Sequence, residues 1–122
     1  GATDILYSPL KQTLLLSNCK KGLVGLYDLR KNSLMKYLDV ASGGGEVKAI
    51  AFSDSQNVIV AGSSTGVVKL FNADTFEEFK EFQFKGENRK NVSIAGIEVW
   101  DNCVYAATSD GVISMLTTLN YQ

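Results

Sequence analysis

The stretch Val58-Ile59-Val60-Ala61-Gly62-Ser63-Ser64-Thr65-Gly66-Val67-Val68-Lys69-Leu70-Phe71-Asn72 holds two apolar runs split by a short polar turn that ends on glycine. Val, Ile, Leu and Phe dominate the runs, as a pleated, half-buried surface prefers. The turn glycine supplies a positive φ without steric cost, which a tight hairpin needs at that point. The same arrangement occurs twice more. Leu14 to Gly22 is followed by Leu23-Val24-Gly25-Leu26-Tyr27-Asp28, and Cys103 to Gly111 by Val112-Ile113-Ser114-Met115-Leu116-Thr117. The three turn glycines fall at 22, 66 and 111, a spacing of 44 and then 45 residues.

Each unit has a further strand upstream, at Ile5 to Ser8, Ala49 to Ser53 and Gly96 to Trp100. Pro9 to Thr13 and Asp54 to Asn57 make polar turns after the first two, and Asp101-Asn102 is a two-residue hairpin signal after the third. A fourth strand follows in the first two units, near Ser33 to Leu38 and Phe76 to Phe82. The spacing of Phe76, Phe79 and Phe82 also suits a helix over Thr75 to Phe84, but the repeat position favours strand. No crossover helix is present, so the strands are antiparallel. A period near this length points to four-stranded propeller blades. The expected fold is therefore all-β: about three antiparallel four-stranded blades of a β-propeller, with units of about 3–46, 47–92 and 93–122. The last unit is expected to lack its outer strand, which suits a ring closed by an N-terminal strand. Three blades cannot close a ring. The remaining blades, from the same protein or a partner chain, are expected to cover the two open faces. A β-sandwich of about eleven strands is the rival architecture.

A net charge of −1 gives no pull toward nucleic acid or anionic membrane. Apolar runs no longer than five residues, such as Val58 to Ala61, exclude a transmembrane helix of roughly 20 residues. No signal peptide is evident at the start, and direct membrane insertion is not expected. Cys19 and Cys103 are far apart and read as reduced, buried thiols of a cytoplasmic protein. Histidine is absent, which removes the commonest general base and metal ligand.

No catalytic residues, cofactor site or metal site are expected. There is no Gly-x-Ser-x-Gly elbow. Gly43-Gly44-Gly45-Glu46 lacks the Lys and Ser/Thr of a phosphate loop and reads as a connection between blades. Glu77, Glu78 and Glu81 read as a solvated outer edge, where charge discourages edge-to-edge pairing. Trp100 reads as a core residue at the end of an inner strand. Binding residues tend to sit on loops of rigid scaffolds. Two sets of loops should emerge at one end of the propeller: the hairpin tips with Lys20, Lys21, Thr65, Ser109 and Asp110, and the connections Ala41 to Glu46 and Gly86 to Asn91. Lys20, Lys21, Arg89, Lys90 and Asp110 are the candidate partner-binding residues. An ordinary solvated loop is the alternative.

Leu26-Tyr27-Asp28, Leu70-Phe71-Asn72 and Ser109-Asp110-Gly111-Val112-Ile113 resemble the end of a WD repeat. The signature tryptophan is replaced by Tyr27, Phe71 and Leu116, and the Gly-His pair that opens such repeats is missing. The hydrogen-bond network of that histidine is therefore absent, which throws more weight onto packing. A narrower resemblance is carried by Gly1-Ala2-Thr3, Lys21-Gly22, Tyr27-Asp28-Leu29, Val47 to Ala51, Gly62-Ser63, Thr75-Phe76 and Ser109 to Gly111, in that order. This series is similar to the C-terminal repeats of the rabconnectin (DMX-like) family, although other WD scaffolds share much of it. The resemblance implies a non-catalytic interaction scaffold that holds other protein subunits. It further implies a part in vacuolar proton-ATPase assembly or vesicle trafficking, in the cytoplasm or peripherally on vesicle or endosomal membranes. The alternatives are a ligand-binding or phosphoinositide-binding propeller, with Arg30-Lys31 the nearest basic pair, or a WD scaffold of another cytosolic or nuclear complex.

Overall fold

The computed structural model describes residues 2–8, 10–18, 21–87 and 90–118. Eleven strands fall in chain order: β1 Ala2–Ser8, β2 Thr13–Asn18, β3 Leu23–Asp28, β4 Ser33–Asp39, β5 Val47–Ser53, β6 Val58–Ser63, β7 Val67–Asn72, β8 Glu78–Gln83, β9 Ile94–Trp100, β10 Cys103–Thr108 and β11 Ile113–Thr118. They form three antiparallel meanders, ordered β1-β2-β3-β4, β5-β6-β7-β8 and β9-β10-β11. Among the described residues there is no α-helix, and the third sheet has three strands. The all-β expectation holds.

The repeat is written into the backbone as well as the sequence. Gln12, Asn57 and Asn102 each stand one residue before the second strand of a sheet, and all three have φ near +50 to +65° (53, 57 and 64). The hairpin glycines 22, 66 and 111 have φ of 66, 85 and 91°. Asp101 joins Asn102 in the left-handed region, as a two-residue hairpin of the expected type requires.

The last strand of the second sheet starts later than its sequence suggests, at Glu78 rather than Phe76. Asn72 is the cause. Its side-chain oxygen accepts from the Asp74 and Thr75 amides at 2.7 and 2.9 Å, and its carbonyl accepts from the Phe76 amide at 2.7 Å. This local turn leaves Phe76 at φ 65°. Asn32, just before β4, has the same conformation at φ 52°.

The core lies between the sheets. Val24, Leu26, Leu38, Ile50, Ile59 and Phe71 fill the junction of the first and second sheets, with Leu6, Phe52 and Phe76 at its margin. Ala49, Val60, Val68, Leu70, Ile94 and Val104 fill the junction of the second and third. Every residue of β6 is buried, because both faces of the middle sheet are covered. At about 1.5–3 kcal/mol per buried Val, Leu, Ile or Phe side chain, these junctions are the main stabilising term.

Candidate functional site

All the β2–β3, β6–β7 and β10–β11 tips emerge at one end of the sheets, and each of the first two is bonded to the connection leading into the following sheet. The Gly22 carbonyl accepts from the Val40 and Ala41 amides at 3.0 and 2.8 Å. The Ser64 amide donates to the Glu46 carbonyl at 2.8 Å, and the Glu46 amide to Ser64 Oγ at 2.9 Å. The Gly66 carbonyl accepts from Phe84 at 2.8 Å, and Ser109 donates to the Ser93 carbonyl at 2.8 Å. Tips and connections therefore form one continuous rim, anchored by backbone groups that need partners.

The rim places the sequence candidates as follows. Lys21 is exposed on the first tip. Lys90 is exposed and lines a cleft of about 530 Å³ with Gly86, Glu87, Asn91, Ser109 and Asp110. The cleft thus brings Lys90 and Asp110 together. Lys21 is not among its lining residues. The Asp110 carboxylate is held from behind by the Thr108 hydroxyl. Lys20 and Arg89 lie outside the described residues, as does Cys19. Glu87 is an acidic wall of the cleft that the sequence did not single out; only its place in the longest polar loop could have flagged it.

The opposite end carries side-chain links between sheets. Ser8 Oγ donates to Asp54 at 2.7 Å. Lys11 Nζ pairs with Asp74 at 2.6 Å, and Asn57 donates to the same carboxylate at 2.7 Å. These two contacts hold the Asp74 carboxyl below its ordinary range, with Lys11 the larger influence. Gln56 bonds Asn102 across the second junction. Arg30 lies at this end too, 3.6 Å from Asp28, with its guanidinium drawn onto that carboxylate. The inner strands β1, β5 and β9 enclose a hollow of about 210 Å³ lined by Leu6, Tyr7, Phe52, Ile97, Glu98 and neighbours. Among the described residues, no group of three or more His, Cys, Asp or Glu side chains could hold a metal ion.

Trp100 is corrected from the sequence reading: it is 69% exposed. It lies on the outer face of the third sheet, where no further sheet among the described residues covers it. Cys103 is a free, half-buried thiol on the same face.

The architecture has close structural counterparts. The crystal structure of the Cps50 (Swd1) β-propeller domain of Myceliophteria thermophila superposes with a TM-score of 0.80 at 15% identity, covering 98% of this chain and 36% of that one. The chain is an arc of a β-propeller. Saccharomyces cerevisiae Sqt1 matches this arc with a TM-score of 0.77 at 10% identity, over 97% of the chain and 33% of Sqt1. The computationally designed Ika4 protein matches at 0.72 and 18% identity, over 96% of the arc and 66% of the design. The propeller fold expected from the sequence agrees with these neighbours. No family model matches the chain. In sequence, the arc is 26% identical to DmX-like protein 1 of Mus musculus and to that of Homo sapiens, each over 121 residues. That match spans 94% of the arc but only 4% of each relative, and it agrees with the rabconnectin-like resemblance. No helix among the described residues is long and apolar enough to cross a membrane.

Proposed function

We propose that the arc is one part of a non-catalytic propeller scaffold that holds protein subunits against its loop rim. The rim is what carries this reading. It is a set of polar loops fixed by backbone bonds to a rigid support, with Lys21 and Lys90 projecting from it. Lys20, Lys21, Arg89, Lys90 and Asp110 are the proposed contact residues. Mixed charge on a rim acts chiefly on recognition and association rate. The three units are assigned to about 3–46, 47–92 and 93–122, and further blades, from the same polypeptide or a partner chain, are taken to complete the ring. The propeller neighbours support this, since the arc accounts for about a third of two of them. Similarity to DmX-like protein 1 supports a finer reading, in which the scaffold serves vacuolar proton-ATPase assembly or vesicle trafficking from the cytoplasm, peripherally on vesicles or endosomes.

The test is a co-purification of the full-length polypeptide with proton-ATPase subunits. Arg89→Glu combined with Lys90→Glu should reduce recovery several-fold while the thermal unfolding midpoint stays put. Unchanged recovery of every subunit removes the rim from binding. Absence of proton-ATPase subunits from the wild-type preparation removes the finer reading and leaves the scaffold.

A further inference from the structure

The packing faces of the three blades can be compared position by position, counting from the hairpin glycine. Val24 and Leu26, Val68 and Leu70, and Ile113 and Met115 occupy the same two places on β3, β7 and β11. The first four are 0% exposed, each covered by the following blade. Ile113 and Met115 are 75% and 56% exposed. On the inner strands, Leu6 and Ala51 pack against the following blade, and Glu98 takes their place in the third. Trp100 stands where Ser8 and Ser53 stand, and Tyr105 where Val60 stands. Ser8 bonds the first turn of the next blade through Asp54, so the Trp100 ring is set to lie against an equivalent turn.

This face thus repeats one used twice within the arc, with a single charge added. The positions of Leu6 and Ala51 are half-buried, and a carboxylate drawn partly out of water there without a partner is destabilising, whereas a paired one is tolerated. In the arc, Leu6 packs with the cluster that holds Ile50 and Phe52, and Ala51 with the one that Ile97 and Val99 join. The equivalent pair in the first blade is Ile5 and Tyr7, neither of which carries a positive charge. A second copy docking head to tail would therefore leave Glu98 without a cation. We propose that the open face of the third blade, formed by Glu98, Trp100, Tyr105, Ile113 and Met115, seats a further blade of the same polypeptide whose innermost strand presents a lysine or arginine to Glu98. The inference rests on the reading of the arc as part of a larger propeller scaffold and adds the chemistry of the missing neighbour.

Hydroxyl-radical footprinting of the full-length polypeptide tests it, with Met35 as internal reference. Met35 lies on the outer strand β4 and is 41% exposed. In the wild type, Met115 and Trp100 should be oxidised several-fold more slowly than their exposure in the arc implies, with Met115 well below Met35. Glu98→Lys should raise Met115 oxidation to the Met35 level by repelling the cation. Glu98→Leu, which restores the residue type found at Leu6, should raise it as well by stranding that cation. Met115 oxidised as fast as Met35 in the wild type overturns the seat. Met115 protected in the wild type and equally protected in both variants overturns the cation. Neither outcome depends on subunit recovery, so failure of the rim assignment shows separately.

Discussion

Replacing the hairpin glycines by alanine should separate two costs that the repeat otherwise superimposes. All three have positive φ, so each alanine incurs the left-handed penalty of about 1–2 kcal/mol. At Gly111 a new Cβ meets nothing within 4 Å, and that penalty is the whole cost. At Gly66 the Cβ would stand 2.6 Å from the Phe84 carbonyl oxygen and 2.9 Å from that of Val92. Both are backbone atoms, so the connection into the third blade must shift. The Phe84 N–H to Gly66 bond of 2.8 Å is then lost, at about 1 kcal/mol, and the displaced junction adds about 1–3 kcal/mol of repacking. Gly66→Ala should therefore cost about 3–6 kcal/mol, and Gly22→Ala, whose Cβ would strike the Ala41 carbonyl, should cost about as much. Denaturant unfolding of the 122-residue chain, read by circular dichroism, measures all three. Equal midpoints for Gly66→Ala and Gly111→Ala would refute the claim that tips lock the junctions.

Other outcomes follow from the same geometry. Leu26→Ala and Leu70→Ala, at fully buried positions, should each lower stability by about 2–5 kcal/mol in denaturant titrations of this chain, and Met115→Ala by less than about 1 kcal/mol. Lys11→Ala removes a pair whose Asp74 side chain is 65% exposed, so the loss should stay within about 1 kcal/mol and shrink in salt. Asp39, held by the Ser42 hydroxyl and amide, and Asp74, held by Lys11 and Asn57, both have carboxyl pKa values below the ordinary 3.8. Burial pushes Asp28 up, but the Arg30 and Lys31 amides outweigh it and hold it low as well. A depressed carboxylate contributes stability at pH above its unfolded value and loses it as pH falls through the folded one. Thermal unfolding should therefore weaken below about pH 4 and, with no histidine in the chain, stay nearly flat from pH 5 to 8. A pronounced slope between pH 5 and 8 would contradict this.

Strand positions were legible because the turn glycines and the apolar runs repeat at nearly constant spacing, so three weak signals reinforce one another. The start of β8 was not. Phe76 reads as a strand residue by type, yet the Asn72 side chain competes for the backbone two and three residues on and turns it away. Trp100 misled for a different reason. Inner-strand position implies burial only if a following sheet exists, and burial depends on a neighbour rather than on the residue. Charge and loop length locate the cleft of Lys90 and Asp110 but not its wall at Glu87. Glu98 gave no local signal. Its meaning appears only when Leu6 and Ala51 are set beside it.

The full enclosure of Val58–Ser63 between two junctions has a consequence for how the molecule loosens. In a stacked array, opening begins at an exposed end and works inward. Amide hydrogens of the middle blade should exchange with solvent last, and those of the flanking ladders earlier. A protease would nick the outer units while the centre still held, so the most durable fragment would be built around that one strand.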